Sequence, residues 1–185
     1  MPEPADPLTR VVDAAARKGV TLDVVTFDQS THTAREAADA VGAEVGQIVK
    51  SLVFVAGPSD GERPQACLVL ASGANTVDVA RLAAVLGVHG VRRATAEEAH
   101  RLTGFSIGGI PPFGHREPMR TVMDPDLGRF ELVWAAAGTP NAVFAVPPAT
   151  LRSLANATVA PIASQPSAPT APAAAVPSRA AERSA

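Results

Sequence analysis

Lysine is scarce in this chain. Of its sixteen basic residues only Lys18 and Lys50 are lysines, and Lys50 stands at the mouth of an apolar run, Ser51 to Ala56. An ammonium is a compact charge with movable donors, suited to a carbonyl oxygen or a phosphate at the end of a strand. A solvated lysine at a strand edge is the other reading of the same position. Lys18 falls in the last turn of a predicted helix, where the helix dipole accounts for it. The second candidate is Gly108, Gly109, Ile110, Pro111, Pro112, Phe113, Gly114 and His115. Two glycines let backbone approach a ligand and aim successive N–H groups inward, and two prolines stiffen the chain that follows. Such a loop can hold a developing oxyanion or a ribose-phosphate without a catalytic side chain. It can equally be a corner between two elements.

Other chemistries lack their residues. The sequence has no G-x-S-x-G elbow, no G-x-x-x-x-G-K-[ST] phosphate loop, no H-E-x-x-H and no strand-linked G-x-G-x-x-G. His32, His89, His100 and His115 are spread without ligand spacing and read as surface or loop histidines, so no metal site is expected. Cys67 is the only cysteine, which excludes an intramolecular disulfide. It sits in an apolar strand pattern, where a thiol is usually an inert small hydrophobe.

The elements that must position these residues follow from periodicity and punctuation. Asp6 as cap, Pro7, an apolar stripe from Leu8 to Ala15 and Gly19 predict a first helix; Val20 to Phe27 predicts a strand. Thr33 with Glu36, and Thr95 with Glu98, are capping-box patterns opening helices that stop at Gly42 and Gly104. A short helix is expected within Ala43 to Val49. Ser51 to Ala56 and Gln65 to Ala71 flank Gly57, Pro58, Ser59, Asp60 and Gly61 and predict antiparallel neighbours. A further helix is capped by Asn75 or Thr76 and stops at Gly87, before a short strand over Val88 to Arg93. Three strands are expected near Met119 to Met123, Arg129 to Trp134 and Ala142 to Val146, the first two joined by a turn over Asp124 to Gly128. A last helix runs from Pro148 through Leu154. Helices and strands do not alternate regularly, so the expected class is α+β: a mixed, mainly antiparallel sheet with helices around it.

Composition sets the limits. The chain has 185 residues, enough for one domain with a tail. Residues 160–185 hold ten Ala, five Pro and four Ser, too little apolar surface to offset chain entropy, so the expected division is a folded domain over 1–159 and a disordered tail over 160–185. A formal charge of −2 argues against gripping nucleic acid by bulk positive charge. No stretch approaches a membrane span and the start has no signal-peptide pattern, so no membrane association and a cytoplasmic location are expected.

Three segments together resemble a known family. Gln47 through Phe54, Gly108 through His115, and Ala137, Gly138, Thr139, Pro140 and Asn141 look like the YbaK/ProX aminoacyl-tRNA deacylases, a domain that also occurs as the editing insertion of bacterial prolyl-tRNA synthetases. The similarity in order and spacing covers about residues 8–155. It implies a barrel-like β-sheet with surrounding helices that hydrolyses the ester joining a wrong amino acid to the 3′ end of a tRNA, without a cofactor. Carried over by position, Lys50 matches the family's required lysine, and Gly108 and Gly109 begin its G-x-x-x-P loop, with Lys50 and these two glycines as catalytic candidates. Ile110, Pro111, Pro112, Phe113, His115, Gly138, Thr139 and Asn141 would line the substrate pocket. The cysteine-specific members carry a Ser-Gly-Gly-Lys-Arg-Gly type of sequence where this chain has Ala137 to Asn141, which points away from cysteinyl-tRNA. The implied partners are a mischarged tRNA, with tRNA-Pro carrying a small wrong amino acid the first expectation, and prolyl-tRNA synthetase. The alternative is a catalytically silent module of the same fold that binds a tRNA 3′ end or an aminoacyl-like ligand. Arg92, Arg93, Arg101, Arg116 and Arg120 are available for an acceptor stem, and Phe113 is the one aromatic in the glycine loop.

Overall fold

A computed structural model describes residues 6–57 and 65–164. Its elements follow local chemistry closely. Helix α1 spans Pro7–Ala16, with the Asp6 carboxylate accepting from Thr9 N–H. Strand β1 is only Val24–Thr26, shorter than its β-branched run, because only these residues find partners on another strand. Helix α2 (Ala34–Val41) is capped by Thr33 and closed by Gly42 in the left-handed region. A 3-10 turn over Val45–Gln47 leads into β2 (Ile48–Ala56), which pairs antiparallel with β3 (Gln65–Ser72) along its length. Part of the expected turn between them, Pro58 to Gly61, lies outside the described residues.

Helix α3 (Val79–Leu86) starts later than the sequence suggests. Its cap is Asp78, whose carboxylate accepts from Ala80 and Arg81 N–H, and Asn75 is engaged elsewhere. Strand β4 (Val91–Arg93) and helix α4 (Ala96–Thr103) follow, α4 with both halves of the Thr95–Glu98 capping box formed. Strand β5 (Arg120–Met123), a 3-10 turn (Pro125–Arg129), β6 (Val133–Ala136), β7 (Ala142–Val146), helix α5 (Pro148–Ala155) and β8 (Thr158–Val159) complete the chain. The turn at Asp124 does not make a hairpin. Instead β5 runs parallel to β3, and β6 runs parallel to β2.

The result is the expected α+β class, one eight-stranded mixed sheet in the order β1-β7-β6-β2-β3-β5-β8, with β4 also on β2. Four of the seven strand pairings are antiparallel. The sheet stays open rather than closing as a barrel, with β1 and β8 as its ends. One core cluster unites Val53, Leu68 and Leu70 with α1, α4 and the Phe105–Phe113 loop; a second packs Phe54, Val69 and Val122 against α3. The boundary expected at residue 160 moves. Ile162 is fully buried in the second cluster, its carbonyl accepts from Asp78 N–H, and Ala163 bridges Val77. The folded unit therefore extends at least to Ser164; the expectation of disorder for 165–185 concerns residues outside those described.

Candidate active site

The site begins with a fault line in the sheet. β3 covers one edge of β2 along its whole length, but the opposite edge has two short neighbours: β6 at Ile48 and Val49, and β4 from Phe54 to Ala56. Backbone groups alternate between edges along a strand. Since Val53 C=O accepts from Ala94 N–H, Ser51 also turns its N–H and C=O to this divided edge, where β6 has left and β4 has not begun. Lys50 and Ser51 are thus the two polar residues inside an otherwise apolar strand, at the place where it has no neighbour on one side.

A cavity of about 280 Å³ fills this gap. Lys50 and Ser51 line it from β2, Arg93 from the end of β4 and Ala94 just after it, Gly108 and Ile110 from the glycine loop, and Ala135, Thr139 and Ala142 from β6, β7 and their connection. Thr31, His32 and Thr33 line it ahead of α2. No Asp or Glu is among the lining residues, so its formal charges are cationic. The Ser51 hydroxyl is buried with no hydrogen-bond partner among the described residues, a condition that costs about 1–3 kcal/mol and that a substrate group would relieve. Lys50 Nζ donates to Asn75 C=O at 2.5 Å. Burial and then Arg93 pull its amine below the ordinary value of 10.5, while Asp124 pulls it back up.

The glycine loop approaches from the other side, and its two glycines act differently. Gly108 has φ +91°, a Cβ there would meet only the Pro140 side chain at an ordinary 3.8 Å, and it lines the cavity. Gly109 is buried, and its N–H already donates to Ser106 C=O at 3.0 Å, so it is not free to point inward as the sequence suggested. What Gly109 supplies is closeness: a Cβ there would lie 2.7 Å from Thr139 Cα. Its missing side chain lets the loop stack directly on the β6–β7 connection. Gly138, in that connection, has φ +103° and sits against Pro7 C=O, outside the cavity lining.

The remaining sequence candidates divide. Ile110 and Thr139 line the cavity. Pro111, Pro112 and Phe113 are buried behind it; Phe113 is 7% exposed and packs on Phe144 at 5.7 Å between ring centres, so it cannot stack on a base. His115 Nε2 donates to Pro111 C=O at 2.7 Å with its ring edge-on to Phe105, and burial holds its pKa below the ordinary value. It braces the loop and does not reach the cavity. Asn141 ties the connection to the segment before α2, donating to Phe27 C=O and accepting from the Thr139 hydroxyl. Of the five arginines, Arg92 is paired with Glu98 and Arg120 donates to the last carbonyls of α3; only Arg93 lines the cavity. Cys67 is 2% exposed and its thiol is pushed up to about 11 by burial, as expected of an inert core residue.

Sequence reasoning passed over Ser51. Its signal was available: two consecutive polar residues interrupt a nine-residue apolar strand, their side chains on opposite faces of the sheet, and both border the one cavity at the gap.

Comparison with known proteins bears on the family. The model of the aminoacyl-tRNA editing domain matches residues 28–154. A solved structure described as a candidate trans-editing enzyme for prolyl-tRNA synthetase superposes with a TM-score of 0.78 at 45% identity, over 88% of this chain and 99% of that one. The uncharacterised protein YwhH of Bacillus subtilis is 32% identical over 129 residues, 70% of this chain and 78% of its own. The proline–tRNA ligase of Limosilactobacillus fermentum is 33% identical over 96 residues, 52% of this chain but only 17% of that protein. The chain belongs to the aminoacyl-tRNA editing domain family. It is a hydrolase of that class, an aminoacyl-tRNA deacylase. Among the described residues no helix is long and apolar enough to cross a membrane.

Proposed function

We propose that this protein is a trans-editing hydrolase that removes a small, wrongly attached amino acid from tRNA-Pro, with Lys50 and the glycine loop as its working parts. The observation that carries the reading is their convergence: Lys50, Gly108, Ile110 and Thr139 line one cavity. Its volume lies near the lower end of small-ligand pockets, about 300 Å³, which suits the acyl end of the substrate more than a whole nucleotide.

An aminoacyl ester is already activated, so its hydrolysis needs little beyond a positioned water and a home for the charge that gathers on the carbonyl oxygen. Water adds to the acyl carbon, the bond to the ribose oxygen breaks, and that oxygen takes a proton as the free amino acid leaves. An ammonium has three donors. With one held by Asn75 C=O, Lys50 keeps two for the oxyanion, and Gly108 brings backbone to the same space. No nucleophilic side chain is required. Selectivity follows from the walls, where Ala37, Ala94, Ala99, Ala135 and Ala142 set the room for the amino-acid side chain. The similarity to proline–tRNA ligases and to the candidate trans-editing enzyme supports tRNA-Pro as the tRNA.

The test is a deacylation screen over mischarged tRNAs, including tRNA-Pro carrying alanine, serine or cysteine. Lys50→Ala is expected to lower turnover about 10²- to 10³-fold, the loss typical of an oxyanion donor, with an unchanged circular dichroism spectrum. Near-normal turnover by that variant across the panel would remove Lys50 from the mechanism.

A further inference from the structure

Lys50 is not free in its cavity. Its amine leaves β2 toward the loop between β3 and α3 and donates to the backbone carbonyl of Asn75. That loop is itself fastened. Asn75 Nδ2 donates to Asp124 Oδ2 and to Asp126 Oδ2, each at 2.8 Å, and Asn75 N–H donates to Ser72 C=O. Asp124 is 1% exposed and accepts also from Ser72 N–H and Asp126 N–H, so both its oxygens are occupied. The loop lies so close to the chain before β2 that a Cβ on Gly73 would stand 2.2 Å from Val45 C=O. A buried carboxylate is costly unless its bonds are satisfied. Two of the bonds Asp124 accepts, from Ser72 N–H and Asn75 Nδ2, fix the loop that presents one carbonyl to one lysine, and the third, from Asp126 N–H, holds its own 3-10 turn.

We propose that Asn75, gripped by Asp124 and Asp126, is the positioning residue for the Lys50 amine. The inference rests on the role given to Lys50 above and adds what aims it. One ammonium hydrogen is pinned to a carbonyl that cannot drift, which directs the other two. Two charged groups act on the amine from the elements packed around it, Arg93 on β4 and Asp124 after β5, and they oppose one another. Asp126 acts through the Asn75 amide.

Two measurements on the full chain test this. The first is steady-state deacylation by Asn75→Ala, Lys50→Ala and the double variant. Asn75→Ala is expected to lower kcat about 10- to 100-fold with KM within about twofold, because misplacement by an ångström weakens the transition state more than binding. In the Lys50→Ala background it is expected to cost nothing further. Equal fractional losses in both backgrounds would mark a merely structural residue and overturn the proposal. The second measurement needs no substrate. The chain has two lysines, so the 13Cε resonance of Lys50 is assigned by difference from Lys18→Arg and titrated by NMR. Asn75→Ala and Asp124→Asn are each expected to lower the Lys50 midpoint relative to the wild type. Unchanged midpoints would overturn the proposal even if Lys50→Ala proves inactive. If Lys50→Ala keeps its turnover while the midpoints move, the positioning stands and the catalytic role of Lys50 falls. Should Asp124→Asn fail to fold, Asn75→Ala decides both readouts.

Discussion

Gly109→Ala isolates the contact on which the cavity depends. The added methyl would sit 2.7, 2.8 and 3.0 Å from Thr139 Cα, C and N, and backbone cannot rotate out of the way as a side chain can. Carbon atoms prefer about 3.5–4.0 Å, so the glycine loop and the β6–β7 connection must separate by about 1 Å. Overpacking of that kind costs about 1–3 kcal/mol of stability, leaving most of a typical domain's 5–15 kcal/mol and hence a folded protein. The effect on rate is expected to be larger. Gly108, Ile110 and Thr139 line the cavity from the two segments that part, and an ångström of misplacement is worth about 10² in rate. The assay pairs urea denaturation with kcat/KM on the best substrate of the deacylation screen. Gly108→Ala is the control: its methyl makes only an ordinary contact, 3.8 Å from the Pro140 side chain, but must hold φ +91°, at a cost of about 1–2 kcal/mol from backbone alone. A Gly109→Ala protein with wild-type kcat/KM would refute the claim that close stacking of these two segments shapes the site.

Two further outcomes follow from buried groups away from the loop. Ile162→Ala is expected to lower stability by about 2–5 kcal/mol, and a chain ending at Ser164 to melt like the full chain while one ending at Val159 melts lower; equal melting of both truncations would remove residues 160–164 from the core. Because burial lowers the Lys50 pKa below 10.5, the unfolded chain binds more protons than the folded one between the two values. The contribution of Lys50 to stability therefore rises with pH through that window, whereas kcat, which needs the ammonium, falls as pH rises through the lower value; an alkaline limb at or above 10.5 in the pH–rate profile would contradict the assignment.

Where the sequence spoke through local bonds, the structure agrees with it. Asp6, Thr33 and Thr95 cap the helices they precede, and Gly42, Gly87 and Gly104 end them in the left-handed region. β2 and β3 pair as their apolar runs suggest. Departures arise where a distant partner decides. Val20 to Phe27 is largely β-branched and Val88 to Arg93 is expected as a short strand, yet a strand exists only where a neighbour lies within reach, and β1 and β4 shrink to three residues each. Asn75 is a plausible cap by type; two carboxylates some fifty positions downstream claim its amide first. The residues after Val159 have the composition of a tail, but composition averages over the one isoleucine that matters, and Ile162 needs only a few backbone bonds to hold it in the core.

The site shows the same division at closer range. Residue type and spacing singled out Lys50 and the glycine loop, because a lone lysine in an apolar strand and a glycine pair before prolines are unusual by themselves, and Lys50, Gly108 and Ile110 line one cavity. They could not show which N–H groups of the loop are free, since Gly109 spends its own on Ser106 within a turn. Nor could they show why a cavity should exist. That answer lies in pairings that no stretch of sequence contains: β6 joins β2 in parallel at one end, β4 joins it antiparallel at the other, and the two cannot meet. A strand left half-covered in the middle of a sheet would ordinarily expose backbone to no purpose. Here the uncovered stretch is the one that carries Lys50 and Ser51, so the defect in pairing and the polar interruption in the strand explain each other.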